Sequence, residues 1–304
     1  MQTQIKKLES LLWINIVNPE VSQVRKLLVE NSMNESLAEE IVEPTLRAKA
    51  DTLRNAIYMT LHFPIKRGEA TEIEEVDFLI KSNLIISSQY KEITAVKDFV
   101  ENLDKITLDS RHSNQSHGGV YFVHFLKNIY RNLEGSLNKV NEDIRQIEKN
   151  IFSGDERRTI EEISAASKKI FDFKSSLKLH RDVLRVYNES AIKIFGFEYS
   201  IYVDITNESY ERVMGMIENQ REMLEDMKDT TSFLISNRTN QIVKIFTVVS
   251  FVILPMTFVA GFFGMNTKFP TDLVNSPFGT VYIMALMFAI SVLVLLYLHF
   301  KKMI

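Results

Sequence analysis

Cysteine is absent from the 304-residue sequence, which excludes disulfides, thiolate metal ligation and cysteine nucleophiles together. A basic surplus is absent as well. The formal net charge is -3, without the concentrated cationic face that nucleic acid needs, so no nucleic-acid partner is expected. No Gly-rich phosphate loop occurs, and no compact Ser, His and Asp set in a recognisable order, so the chain is not expected to be an enzyme. The six histidines are scattered. His112, His117 and His124 are close in sequence but lack the compact spacing of metal ligands on one helix, and polar or partly buried histidines explain them better. An export signal is lacking too: Lys6 and Lys7 precede the apolar run Leu11 to Val17, but Asn15 breaks it and Asn18-Pro19 ends it, with no small-residue cleavage site. That run reads as a buried strand, and the polar region behind it is expected to stay in the cytosol.

What is present is a sharp asymmetry. Roughly the first 240 residues are charged throughout and the last 60 are nearly charge-free, a split that agrees with two structural units in a chain of this length. Ile245 to Phe263 reads IFTVVSFVILPMTFVAGFF and Phe278 to Phe300 reads FGTVYIMALMFAISVLVLLYLHF, neither with an acid, Lys or Arg. Each is close to the roughly 20 residues that a helix needs to cross a hydrocarbon core. Arg238 and Lys244 precede the first run and Lys301 and Lys302 follow the second, so both termini are expected on the cytoplasmic side. Pro255 lies inside the first span, where it frees a backbone carbonyl that Thr257 is expected to help satisfy.

The first 110 residues or so alternate strand-like runs (LLWINIV, NAIYMTLHFPI, EEVDFLIKS, NLIISSQY) with amphipathic helical ones (PEVSQVRKLLVE, ESLAEEIVEP, VKDFVENLDK), predicting helices layered on a mixed or antiparallel sheet. After the polar stretch DSRHSNQSHGG, apolar residues fall at Phe122, Leu126, Ile129, Leu133, Leu137, Val140, Ile144, Ile147 and Ile151. That alternation of three and four predicts a long helix packed along a coiled-coil seam. Ser153-Gly154-Asp155 ends it, and ERRTIEEISAASKKIFDFKSSLKLHRDVLRVYN reads as one antiparallel partner. A third helix is expected from about Asn207, with a seam of Tyr210, Met214, Ile217, Leu224, Met227, Thr231 and Leu234 running unbroken into the first apolar span.

The run Ser236 to Asn266, SNRTNQIVKIFTVVSFVILPMTFVAGFFGMN, resembles the CorA family of divalent-cation transporters, whose hallmark Gly-Met-Asn ends the first of two membrane helices. Here the hallmark is Gly264-Met265-Asn266. The Ser-Asn-x-Thr-Asn stalk end, the mid-span Pro-Met-Thr-Phe-Val-Ala-Gly, the second span and the basic C-terminus follow in the family's order. The resemblance implies an α+β cytosolic domain with long coiled-coil stalk helices, then two transmembrane helices, assembled as a homopentameric funnel in the lipid bilayer. On that plan residues 1–115 form the α/β domain, 116–240 the helical bundle and stalk, 241–263 the first membrane helix, 264–279 the extracytoplasmic loop, 280–300 the second membrane helix and 301–304 a basic tail.

The implied function is influx of Mg2+ across the plasma (inner) membrane, with Co2+ or Ni2+ as alternative cargo. Five Gly-Met-Asn segments would ring the outer mouth, where Asn266 offers an amide oxygen to the water shell that Mg2+ gives up reluctantly. Gly264 would allow a turn closed to other residues, and Met265 would pack to fix it. Asn240, Val243, Phe246, Ser250, Leu254, Thr257 and Gly261 recur at helical steps; the resemblance implies that this face lines the pore, with Phe246 and Leu254 as dewetting constrictions. It further implies closure when Mg2+ fills acidic sites between cytosolic domains, for which Asp229, Glu222, Glu225 and Asp226 are the stalk candidates. Two features depart from the family: Phe246 stands where an aliphatic residue or methionine is common, and Lys268 where an acid is common, while Asp272 keeps one carboxylate in the loop near the position of a family glutamate. A Zn2+ or other transition-metal transporter of the same fold is the alternative, disfavoured because the zinc branch replaces the methionine retained here as Met265. A membrane-anchored coiled-coil scaffold is a second alternative, which leaves Asn240, Thr257 and Asn266 without a purpose.

Overall fold

The computed structural model describes residues 1–45, 47–68, 70–106, 117–265 and 277–301. These form two compact units, Met1–Lys228 and Asp229–Ile304.

The first unit begins with a six-stranded sheet in the order β1-β2-β6-β5-β4-β3. Its strands are β1 (Gln2–Lys7), β2 (Leu12–Val17), β3 (Lys49–Thr52), β4 (Ile57–Arg67), β5 (Ala70–Ile80) and β6 (Leu84–Gln89). Only β2 and β6 pair in parallel; the other neighbours are antiparallel, so the sheet is mixed. The apolar and branched residues of β2, β4 and β6 make them central and buried. The outer strands were not anticipated: β1 (QTQIKK) and β3 (KADT) are polar and largely exposed, as edge strands tend to be. The hairpin register carries β5 back to Ala70, four residues before its apolar pattern starts.

Helices α1 (Val21–Glu30) and α2 (Leu37–Val42) cover one face through Val24, Leu28, Leu37, Ala38 and Ile41 against Ile14, Ile16, Tyr58, Leu79 and Ile86. The opposite face is aromatic. Trp13 lies 5.5 Å from Phe99 of α3 (Thr94–Glu101), and Phe78 lies 5.0 Å from Phe122 of α4 (Gly118–Asn150). The start of α4 is fixed by contact: Gly118 N donates to the Ser82 carbonyl at 2.6 Å, and a Cβ on Gly118 would come within 2.1 Å of the Lys81 carbonyl oxygen. No other residue fits there without moving the β5–β6 turn.

Every seam residue of α4 from Phe122 to Ile147 is buried, as the spacing requires. Asp155 caps the next helix by accepting from Arg158 N at 3.2 Å. The expected single return helix is two, α5 (Glu156–Leu177) and α6 (His180–Phe195). Neither Pro nor Gly marks the break; it coincides with His180, whose Nε2 donates to the His62 carbonyl at 2.9 Å and pulls α6 onto the sheet. Helix α7 (Ser200–Phe263) starts seven residues earlier than Asn207. Its start is fixed by Tyr199, whose buried hydroxyl donates to the Gly119 carbonyl at 3.2 Å. On its seam Val213 is buried where Met214 was expected and is only half-buried, while Tyr210, Ile217, Leu224, Met227 and Thr231 are buried as expected.

Helix α7 is continuous for 64 residues and contains Pro255. Its C-terminal part belongs to the second unit with α8 (Gly279–Phe300). Both helices are long and apolar enough to cross a membrane. The architecture is therefore an α+β domain with long helices, followed by two apolar helices.

Candidate functional site

Within the second unit, α7 presents two contrasting stripes. Val248, Val252, Pro255, Met256, Val259 and Phe263 are shielded, Val259 to 8% exposure. On α8 the shielded positions are Gly279, Ile283, Met287, Ile290, Ser291, Val294 and Leu298, which again fall on one side of the helix. Such paired stripes are what two apolar helices produce when they lie side by side.

The face singled out by the sequence is the other one. Asn240, Val243, Phe246, Ser250, Leu254, Thr257 and Gly261 are all exposed in the single chain, Phe246 to 69% and Leu254 to 71%. At about 100° per residue, this face and the shielded stripe lie about 180° apart. The chain's own second helix thus leaves the polar members Asn240, Ser250 and Thr257, and the bulky apolar Phe246 and Leu254, uncovered on one side.

Three local expectations need correction. Pro255 frees the carbonyl of Phe251, but the Thr257 hydroxyl donates to Ile253 O at 3.0 Å. A threonine in a helix reaches back four residues, so Thr257 falls short of Phe251. Gly264 is required by a close approach rather than by a left-handed turn: a Cβ there would come within 2.8 Å of the Ala260 carbonyl oxygen, which accepts from Gly264 N at 2.9 Å. Met265 is 56% exposed, so it does not pack within its own chain. Asn266, Lys268, Asp272 and His112 lie outside the described residues.

The acidic candidates all sit on α7. Glu222, Glu225, Asp226 and Asp229 are exposed, and Glu225 is bonded to Arg221 Nη1. Among the described residues, no group of three or more His, Cys, Asp or Glu side chains is placed to hold a metal ion. These acids therefore do not converge within one chain. The histidines do not converge either: His117 stacks on Phe195 at 4.6 Å, while His180 is enclosed between α6 and the sheet. Sequence reasoning missed a buried polar group on the α1–α2 side of the sheet, where Asp77 Oδ1 accepts from the Tyr58 hydroxyl at 2.9 Å and from Thr60 at 2.7 Å. Burial pushes this carboxyl up to about 7, against the lowering effect of the Thr60 bond. The available signal was an acid on the buried side of an alternating strand, at Asp77 between Glu75 and Leu79.

A mixed-sheet α+β domain, a long helix that becomes apolar and a second apolar helix define a two-helix membrane protein with a large polar domain. The family model described as "CorA-like Mg2+ transporter protein" matches residues 9–302. The chain belongs to that family. It is 21% identical over 301 residues to the cobalt/magnesium transport protein CorA of Thermotoga maritima, covering 95% of this chain and 82% of that protein. It is 24% identical over 283 residues to the CorA protein of Methanocaldococcus jannaschii, covering 92% and 87%. The complete structure of the CorA magnesium transporter from Methanocaldococcus jannaschii superposes with a TM-score of 0.81 at 22% identity, over 97% of this chain and 92% of that one.

Proposed function

We propose that this protein is a homopentameric channel that carries Mg2+ inward across a plasma membrane, with both termini in the cytoplasm. The observation that carries the reading is the uncovered face of α7 running from Asn240 to Gly261, opposite the shielded stripe. Family membership and the transport of cobalt and magnesium named for its relatives support it. In a ring of five copies these faces would turn to a common axis.

Cargo passes as a hydrated ion on this reading, because Mg2+ dehydrates reluctantly and keeps several waters. Amide and hydroxyl oxygens at Asn266, Thr257, Ser250 and Asn240 would accept hydrogen bonds from the water shell without holding the ion by charge, which keeps release fast. Phe246 and Leu254 would close the path by dewetting when the ring narrows. Gly264, with no space for a Cβ, holds the helix end so that Met265 and Asn266 follow directly at the mouth. The exposed Asp229, with Glu222, Glu225 and Asp226, would bind regulatory Mg2+ only against acids of a neighbouring copy, in keeping with the lack of a complete ligand set among the described residues. Co2+ and Ni2+ remain alternative cargo on the same oxygen chemistry.

The absence of native cysteine makes a direct test clean. Thr257→Cys and Ser250→Cys should be blocked by a water-soluble thiol reagent in flux measurements, while Val252→Cys on the shielded stripe should not. Equal sensitivity at Ser250 and Val252 would defeat the assignment of the pathway face.

A further inference from the structure

The α1–α2 side of the sheet holds acidic and hydroxyl groups that the transport reading does not use. Thr60 stands opposite Asp77 and His62 opposite Glu75 across β4–β5, and Asp77 stands opposite Ser88 across β5–β6. Alternation along the strands puts Glu75, Asp77 and Ser88 on one face, and Tyr90 follows two residues after Ser88. Burial, then the charges of Asp77, Glu75 and Glu43, raise the Tyr90 phenol above its ordinary range, so these groups lie within electrostatic reach of one another.

Each carboxylate has one oxygen held and one free. Asp77 Oδ1 takes the Tyr58 and Thr60 hydroxyl bonds, and Asp77 Oδ2 has no partner among the described residues. Glu75 Oε2 accepts from Thr45 N at 2.8 Å and lies 3.3 Å from His62 Nε2, and Glu75 Oε1 has no partner among the described residues. Ser88 Oγ and the Tyr90 hydroxyl also have no partner among the described residues. Asp77 and Ser88 are each 2% exposed and Glu75 is 6% exposed. An unsatisfied buried polar atom is costly to a fold, so four so close together are not explained by packing alone. Lys49 does not answer them, being bonded to Glu40 at 2.7 Å.

We propose that Glu75 Oε1, Asp77 Oδ2, Ser88 Oγ and the Tyr90 hydroxyl form a binding site for one hard divalent cation of the Mg2+ and Mn2+ class. Two carboxylates supply the charge that neutralises the ion, and two hydroxyls complete an oxygen-only set, the chemistry that these cations prefer. The second oxygen of each carboxylate is already fixed by Tyr58, Thr60, Thr45 and His62, the outer hydrogen bonding that orients metal ligands. With two acids and two hydroxyls, the set differs in kind from a cage of charged side chains, of which the described residues contain none. The ion braces β5 against β6 where Asp77 stands opposite Ser88. This site does not depend on the transport reading, since binding here involves no residue of α7.

The test is Mn2+ binding, followed by electron paramagnetic resonance, to the metal-stripped full-length protein in detergent. Ser88→Ala and Tyr90→Phe remove only oxygens without partners, so both should fold, and each should lose one tightly bound Mn2+ per chain. Thr60→Val should weaken that Mn2+ about 10- to 100-fold by releasing Asp77. The Mn2+-induced rise in melting temperature should shrink in all three, while Asn266→Ala should keep this bound ion. Unchanged Mn2+ stoichiometry in Ser88→Ala and Tyr90→Phe, with an equal or higher metal-free melting temperature, would overturn the proposal and leave the oxygens to a buried water only.

Discussion

The imidazole of His180 and the hydroxyl of Tyr130 lie 2.9 Å apart in a site with no solvent exposure, joining α6 to α4. Since His180 Nε2 donates to the His62 carbonyl, the neutral ring accepts the Tyr130 proton at Nδ1. Burial, its largest cause, lowers the His180 pKa to about 3.

A pH dependence follows, with a definite sign. Below an unfolded value near 6.5 the unfolded chain binds a proton that the folded chain refuses. Stability from this group is complete above that pH and falls by about 1.4 kcal/mol per unit between there and pH 3. Melting in detergent from pH 7.5 to 4.5 should show a steeper loss for the wild type than for His180→Phe. Parallel profiles would show that His180 is already charged in the folded protein.

Tyr130→Phe removes one hydroxyl and leaves His180 Nδ1 buried without a donor. The expected loss is about 1–3 kcal/mol, read as a lower denaturation midpoint at pH 7.5.

Gln220 is a buried polar side chain of α7 bonded to α4. Its Nε2 donates to the Leu137 carbonyl at 2.9 Å, while its Oε1 has no partner among the described residues. Gln220→Leu removes that unsatisfied oxygen at nearly constant volume and should stabilise the first unit by about 1 kcal/mol. A lower melting temperature would mean that the single hydrogen bond outweighs the orphaned carbonyl.

How much was legible depended on where the physics was local. The seam from Phe122 to Ile147 could be read directly because each residue obeys the three-four spacing and is buried by it. The split at His180 could not, since it depends on a hydrogen bond to His62, distant in sequence. Edge strands β1 and β3 are polar on both sides, so alternation gave no signal. Along α7 the positions from Asn240 to Gly261 were legible as one helical face, but that this face is exposed and lies opposite Val252 and Val259 needed the second helix in place. Glu75 and Asp77 escaped notice because a strand acid normally points to water, and only the packing of α1 and α2 shows that these do not.

Phe246 is 69% exposed within its chain, so Phe246→Ala should change the stability of the isolated protomer by less than about 0.5 kcal/mol. If this ring forms a constriction that closes at high internal Mg2+, the variant should admit Mg2+ faster than the wild type under that condition. Identical rates in a liposome assay would assign Phe246 to lipid or to a neighbouring helix.

Gly264→Ala places a methyl group 2.8 Å from the Ala260 carbonyl oxygen. It should reduce Mg2+ entry by displacing the helix end, with the melting of the first unit unchanged. Wild-type flux would show that the mouth tolerates this shift.

The most direct measurement is Mg2+ entry into liposomes that hold a Mg2+-sensitive dye, under an inward gradient and a membrane potential, with Asn266→Ala alongside. The account predicts entry through the wild type and its loss in Asn266→Ala. Equal entry through both would contradict a Gly-Met-Asn mouth, and no entry through either would contradict Mg2+ transport itself.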